Sequence, residues 1–174
     1  ALALAIWTWF ELCLFSLLCF LVLVPLALLT WPFDRNRVIT GSFYRRTAVL
    51  ISRLTPLWDF QVVGPAPARK PGCTVVVSNH CSQADPFLIS GVPWEMKWLG
   101  KAELFRVPIM GWSMSLAGDI PVERGQKASA KGAMARCAQY LKRGMPVMIF
   151  PEGTRSLTEE MGPFKDGAFQ LAIT

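Results

Sequence analysis

The chain contains a single histidine, His80, and this residue could act as a base near neutral pH. Imidazole is the one side chain whose unperturbed pKa, ~6.5, leaves it largely neutral and still basic at that pH. Asp85 follows five residues later and could orient the ring. In a continuous helix this spacing would turn the two side chains ~140° apart, because one turn takes ~3.6 residues. A break in the helix is therefore needed between them.

The flanking residues predict such a break. Residues 73–77 form a short apolar, β-branched run that is typical of a buried strand. Asp85 before Pro86 is typical of a helix N-cap followed by proline at the first helical position. His80 is therefore predicted in a strand-to-helix loop that can bring the Asp85 carboxylate to the imidazole. An ordinary helix cap beside a satisfied polar histidine would give the same pattern without catalysis.

A second polar loop, residues 150–156, follows another predicted strand. Glycine at position 153 lets a ligand approach the backbone closely, and Arg155 offers a planar fork that suits phosphate oxygens. These features favour a phosphate-bearing ligand. The alternative is a plain turn in which Arg155 pairs with Glu152. Arg124 could supply a second positive group, or it could lie solvated beside its neighbour Glu123.

Predicted strands and helices alternate in the rest of the chain. The strands are predicted at 73–77, 96–99, 119–124 and 146–150, and the helices from residue 86, at 108–117, at 128–142 and from about 166. This alternation implies an α/β domain with a largely parallel sheet flanked by helices, in which functional loops gather at the strand ends. The loops 80–85, 121–124 and 151–156 are then expected to converge.

The first third of the chain is apolar. Residues 12–33 are 22 residues without a charge, and they could extend ~33 Å as a helix, enough to cross a hydrocarbon core of ~30 Å. We predict a retained membrane helix here. A cleaved signal peptide is one alternative, and two half-spanning helices bent at Pro25 are another.

A basic segment follows the apolar one. Residues 35–70 carry seven Lys and Arg side chains against one acid, Asp59. Basic residues next to a span predict a cytoplasmic location for the following domain and attract anionic lipid. Nucleic-acid binding is not favoured, since no recognition motif accompanies the basic residues. The predicted organisation is a membrane-associated part (1–63) with an amphipathic helix between 38 and 63, a Pro/Gly-rich linker (64–72) and the α/β domain (73–174).

The five cysteines include no Cys-x-x-Cys pair, and their number is odd. The sequence therefore indicates neither a disulfide framework nor a zinc site, and no metal is expected. Cys81, next to His80, could be a nucleophile, although adjacent side chains in an extended loop tend to point apart.

Three segments together resemble the ordered motifs of the glycerolipid acyltransferase family, and are closest to 1-acyl-sn-glycerol-3-phosphate acyltransferases. They are Asn79-His80 with Asp85, residues 118–124 and residues 150–156. The resemblance spans about residues 74–173 and includes the shorter segments 101–104 and 164–169. The family's fourth motif, an apolar strand containing proline, is not found after the third, so the C-terminal part of the family domain is expected to be missing.

The resemblance implies transfer of a fatty acyl group from acyl-CoA or acyl carrier protein to the sn-2 hydroxyl of lysophosphatidic acid at a membrane, without a cofactor. It implies that His80 is the general base and Asp85 its partner. The residues that it assigns to the acceptor phosphate are Arg124, Glu152, Gly153, Thr154 and Arg155, with Asn79 and Lys101 in supporting positions. An acyltransferase for another lysolipid or for glycerol 3-phosphate, a membrane-bound hydrolase and a non-catalytic lipid-binding module remain alternatives.

Overall fold

The computed structural model describes residues 2–55, 58–61, 63–64, 72–156, 158 and 160–173. The helices in these residues are α1 (Leu2–Thr30), α2 (Val38–Leu54), α3 (Asp85–Ile89), α4 (Ala102–Phe105), α5 (Met110–Leu116), α6 (Lys127–Lys142) and α7 (Gly167–Ile173). The strands are β1 (Val75–Val77), β2 (Lys97–Lys101), β3 (Ile120–Val122) and β4 (Val147–Ile149). The predicted α/β alternation is confirmed.

The four strands form one sheet in the order β1-β4-β2-β3, and every neighbouring pair is parallel. Parallel pairing requires a crossover connection between the strands, and the helices supply it here. All carboxyl ends of the strands therefore lie at one edge of the sheet. Because β1 and β4 are neighbours, the loops that follow them, which contain His80 and Arg155, start side by side.

Strand β4 is central and buried on both faces. Val147 and Ile149 belong to a core cluster on one face, whereas Met148 belongs to a second cluster on the other. This division follows from the alternation of side chains along a strand. The first cluster is completed by Ile120, Ala133, Cys137, Leu141, Ala168 and Leu171, and the second by Met96 and Trp98.

Helix α1 runs without interruption through Pro25, so two separate half-spanning helices are not observed. Its inward face is buried at Cys19, Leu23 and Ala27, and Phe20 contacts the ring of Trp112 in α5 at 5.6 Å between centroids. These contacts pack α1 against the rest of the fold. It is also the one helix in the described residues that is long and apolar enough to cross a membrane.

The outward face of α1 is apolar along its length. Its exposed large side chains include Leu14, Leu17, Leu18, Leu21, Val22, Leu28 and Leu29. A continuous exposed apolar surface of this kind indicates contact with a membrane or another partner, and the composition of the helix favours the membrane.

Helix α2 is shorter than predicted. The expected amphipathic helix extended to position 63, but the observed helix ends at Leu54, and residues 58–61 are irregular. The reason is Pro56, because the residue before a proline is disfavoured in the helical region. Thr55 is accordingly extended, with φ −74° and ψ 112°. Most of the predicted linker, residues 65–71, lies outside the described residues, and the domain boundaries stay predictions.

A buried ionic network joins α2 to the sheet. Lys97 is fully buried at the start of β2, and its Nζ donates to Glu95 Oε1, to the Arg37 carbonyl and to the Ala117 carbonyl, each at 2.8 Å. Burial lowers the pKa of Lys97 and raises the pKa of Glu95, and their mutual attraction opposes both shifts. Gly41 allows the close approach, since a Cβ there would lie 2.1 Å from Glu95 Oε1.

We predict that Lys97→Met lowers the free energy of unfolding by about 3–5 kcal/mol, because it leaves the buried Glu95 carboxylate without its partner. Lys101→Met is the matched control. Its ion pair with Glu103 at 3.3 Å is exposed, so its loss should cost about 0–1 kcal/mol. Denaturant unfolding of the detergent-solubilised protein measures both effects. Equal destabilisation by the two substitutions would contradict the role given to the buried network.

Candidate active site

The loop after β1 brings the His80 ring and the Asp85 carboxylate together. The distance from His80 Nδ1 to Asp85 Oδ2 is 2.7 Å. The same carboxylate oxygen accepts backbone N–H groups from Cys81 and Ser82, both at 2.9 Å. The predicted break between the two residues is confirmed. The prediction that Asp85 is the N-cap of α3 is wrong, because Ala84 occupies that position and the carboxylate is turned back to the loop N–H groups.

The orientation of the imidazole is held from two sides. Asp85 Oδ2 already accepts two backbone protons, so the simplest assignment makes His80 Nδ1 the third donor and leaves Nε2 as the free basic nitrogen. The ring stacks on Phe150 with 4.1 Å between centroids and 18° between planes. The His80 side chain keeps 14% of its surface exposed, so the ring is not sealed within the core.

Glu152 connects the His80 loop to the loop after β4. Its carboxylate is buried, Oε1 accepts the His80 backbone N–H at 2.7 Å, and Oε2 accepts the Gly162 N–H at 2.9 Å. A second link is the 2.7 Å hydrogen bond from the Ser156 N–H to the His80 carbonyl. Both carboxylate oxygens of Glu152 therefore accept hydrogen bonds from the backbone. The plain-turn alternative, in which it pairs with Arg155, is not what the structure contains.

Three residues of the loop after β4 face solvent or lie partly open. Gly153 adopts φ 69°, in the left-handed region that favours glycine, and Thr154 and Arg155 are exposed. Within the described part of the chain, the Arg155 guanidinium forms no ion pair or hydrogen bond. It is available for an anion beside the His80 loop.

Lys165 lies next to this loop, although the sequence reasoning gave it no role. The Lys165 backbone N–H donates to the Pro151 carbonyl at 2.9 Å, and a Cβ placed on Gly153 would lie 2.6 Å from Lys165 Nζ. The ammonium group thus occupies the space that a side chain at residue 153 would fill. The signal that could have found it is its position in segment 164–169, one of the shorter segments that carry the resemblance.

The remaining predicted residues lie around this centre. Asn79 Nδ2 donates to Cys81 Sγ at 3.4 Å, and the His80 ring is directed to Asp85 instead of to this thiol. Lys101 ends β2, which neighbours β4, and its ammonium group pairs with Glu103.

Arg124 follows a different strand from the other predicted site residues. It follows β3 and is exposed, and β2 separates β3 from β4. Arg124 is exposed beside Glu123, as the solvated alternative describes, and Glu123 itself pairs with Arg106 at 3.2 Å. Arg124 shares this edge of the sheet with His80, and in the described residues its side chain forms no hydrogen bond or ion pair.

Fold and site together define an α/β domain with a histidine–aspartate pair at the carboxyl edge of a parallel sheet, beside a loop with an unpaired arginine. The chain belongs to the acyltransferase family, whose sequence model matches residues 59–174. A chloroplastic 1-acyl-sn-glycerol-3-phosphate acyltransferase of Brassica napus is 34% identical over 92% of this chain and 48% of its own length. The enzyme of that name from Pseudomonas aeruginosa is 33% identical over 82% of this chain and 55% of its own length.

A solved structure has the same fold. The crystal structure of the 1-acyl-sn-glycerophosphate acyltransferase of Thermotoga maritima has a TM-score of 0.73 and 22% identity over 99% of this chain and 68% of that one. The chain spans about half the length of the curated relatives it matches.

We predict that Glu152→Gln lowers the free energy of unfolding by about 1.5–3 kcal/mol, because an amide can accept only one of the two backbone N–H groups and turns its own NH₂ towards the other. Glu160→Gln removes an equal charge from the same segment. Glu160 is exposed, and the structure describes no contact of its carboxylate, so this control should leave stability unchanged. Thermal unfolding compares the two, and equal melting temperatures would contradict the linking role of Glu152.

Proposed function

We propose that this protein transfers a fatty acyl group from a thioester, acyl-CoA or acyl carrier protein, to the sn-2 hydroxyl of lysophosphatidic acid. The observation that carries the proposal is the His80–Asp85 pair, hydrogen-bonded at 2.7 Å and joined through the backbone to the loop of Arg155. This arrangement sets a base beside a site for an anion. The names of the relatives, 1-acyl-sn-glycerol-3-phosphate acyltransferases, support the same reaction.

In the proposed reaction His80 Nε2 accepts the proton of the acceptor hydroxyl as its oxygen attacks the thioester carbonyl carbon. The new C–O bond forms, the C–S bond breaks, and the imidazolium returns its proton to the leaving thiolate. General-base catalysis of this kind contributes ~10²–10⁴-fold in rate. Asp85 holds the ring in the required tautomer and stabilises the imidazolium, as the carboxylate does in a serine protease triad. No covalent acyl-enzyme, metal or further cofactor is required.

The acceptor phosphate is held in this proposal by Arg155, with the hydroxyl of Thr154, the backbone of Gly153 and the ammonium of Lys165. Guanidinium and ammonium groups form charge-assisted hydrogen bonds with phosphate oxygens. Fixing the phosphate beside His80 places the hydroxyl for attack, which is a positioning effect. Glu152 acts only through the two loops that it joins, since its oxygens are occupied by backbone N–H groups.

Two further cations, Lys101 and Arg124, act at a distance from the reacting groups in this proposal. Lys101 and Arg124 lie along the same edge of the sheet and attract the anionic substrates without contacting the reacting centre. The acceptor and the product are lipids, and in this proposal the exposed apolar face of α1 holds the protein at the membrane that contains them. The basic segment after α1 favours a cytoplasmic location for the α/β domain.

We expect His80→Ala to lower kcat by about 10²–10⁴-fold, and Asp85→Asn to lower it by a smaller factor in this range, because the first removes the base and the second removes its orienting charge. Cys81→Ser is the control, since Cys81 adjoins His80 but supplies no group to the proposed reaction. The measurement is phosphatidic acid formation by the full-length protein with defined acceptors and donors. Full activity of His80→Ala would refute the base assignment.

We expect Arg155→Gln and Lys165→Met each to raise KM for lysophosphatidic acid about tenfold or more, with little change in KM for the acyl donor, because each loses a charged hydrogen bond to phosphate. Lys131→Met, on the exposed surface of α6, is the control for loss of a positive charge. If the donor KM rises instead, the two residues bind the donor. Preference for glycerol 3-phosphate over lysophosphatidic acid in an acceptor panel would overturn the proposed substrate.

A further inference from the structure

A second basic site lies at the turn between α1 and α2. It is a cavity of about 400 Å³ lined by Trp31, Pro32, Asp34, Arg35, Arg37 and Arg143. The Arg37 carbonyl accepts a hydrogen bond from Lys97, which lies at the start of β2. His80, by contrast, follows the end of β1. In a parallel sheet these are opposite edges, so this cavity is separate from the His80 centre.

The positive charge in the cavity is not balanced by its one carboxylate. Asp34 Oδ1 and Oδ2 accept the backbone N–H groups of Val38 and Ile39 at 2.7 and 2.8 Å, which commits Asp34 to the start of α2. In the described part of the chain no ion pair involves Arg35, Arg37 or Arg143. Three guanidinium groups therefore face one carboxylate, which leaves a formal charge of +2.

Arg37 is held in place before any ligand binds. Its backbone has φ 53°, which is uncommon for a residue with a side chain, and its carbonyl accepts from both Lys97 Nζ and the Gly41 N–H. Its guanidinium lies 4.1 Å from the centre of the Trp31 ring, and its Nη1 is buried without a hydrogen-bond partner. Arg37 also lines the cavity, so its guanidinium is fixed beside the place where an anion would bind.

The cavity adjoins apolar surface. Leu28, Leu29, Trp31 and Phe33 precede or flank the arginines, and each is between 65% and 73% exposed. A soluble ligand would not need this surface, but the acyl chains of a lipid would contact it while the headgroup entered the cavity. Tryptophan and arginine side by side are also typical of the membrane interface.

We propose that Arg35, Arg37 and Arg143 bind the phosphate monoester headgroup of an anionic membrane lipid. A phosphate monoester carries about −1.5 to −2 charges at neutral pH, which matches the unbalanced +2 of the cavity, and arginine forks fit its oxygens. A phosphodiester headgroup carries one negative charge and fits less well. Binding here requires neither the His80–Asp85 pair nor the acyl-transfer reaction.

The test is binding of labelled lipid by the full-length protein reconstituted in vesicles, with Arg35→Gln and Arg143→Gln combined. Reconstitution keeps every variant in the bilayer through α1, so the measurement reports the lipid held by the protein. The Arg35 and Arg143 side chains are exposed and form no hydrogen bond or ion pair in the described residues, so folding should be preserved. The control combines Lys131→Gln and Lys142→Gln, two exposed positions on α6 with the same total charge change. Arg37 is left intact because its side chain packs on Trp31.

In vesicles of phosphatidylcholine with phosphatidic acid, the Arg35/Arg143 variant should bind phosphatidic acid about tenfold more weakly than the unchanged protein does. The control should bind it at most about twofold more weakly. In vesicles where phosphatidylglycerol supplies the same surface charge, the two double variants should bind phosphatidylglycerol with equal affinity. Acyl transfer in detergent micelles should be unchanged in both variants, which separates this site from the catalytic one.

Two results would overturn the proposal. Equal weakening of phosphatidic acid binding in the two double variants would mean diffuse attraction to negative charge. Equal binding of phosphatidic acid by the two double variants, together with loss of inorganic phosphate binding only in the Arg35/Arg143 variant, would mean that the cavity takes free phosphate and not a lipid headgroup.

Discussion

The hydrogen bonds of the buried Glu152 carboxylate are the interactions on which the candidate site depends. One oxygen binds the backbone at His80 and the other binds the backbone at Gly162, so a single side chain connects the loop after β1, the loop after β4 and the segment that leads to Lys165. A buried carboxylate is stable only when its oxygens are satisfied, and here the bonds that satisfy it also hold the His80 loop against the loop that contains Arg155.

The parallel sheet makes this connection possible. Parallel pairing brings the carboxyl ends of β1 and β4 to one edge, and the central position of β4 keeps the Glu152 carboxylate away from bulk water. Phe150, the residue after β4, supplies the surface on which the His80 ring stacks. β4 therefore contributes core side chains, and the residues directly after it contribute the surface under the imidazole and the connecting carboxylate.

The opposite edge of the sheet has a different organisation. Buried Lys97 joins the start of β2 to the turn between α1 and α2, and Arg45 of α2 pairs with Asp119 just before β3. These contacts fix the position of the helix pair α1 and α2 relative to the carboxyl ends of the strands. In the proposed function the substrates are lipids, and this arrangement would keep the site at a constant height above the membrane surface.

Sequence alone determined the order of strands and helices, the need for a break between His80 and Asp85, and the polar loop at 150–156, because each depends on local composition. It determined neither the role of Glu152 nor the position of Lys165 beside Gly153. Those depend on strand order, and insertion of β4 between β1 and β2 is decided by long-range packing of the core. Every residue type except proline has a backbone N–H group, so the sequence does not show which of these groups Glu152 binds. Only the tertiary structure could show that this acidic residue, in a loop predicted to bind phosphate, instead accepts backbone hydrogen bonds from His80 and Gly162.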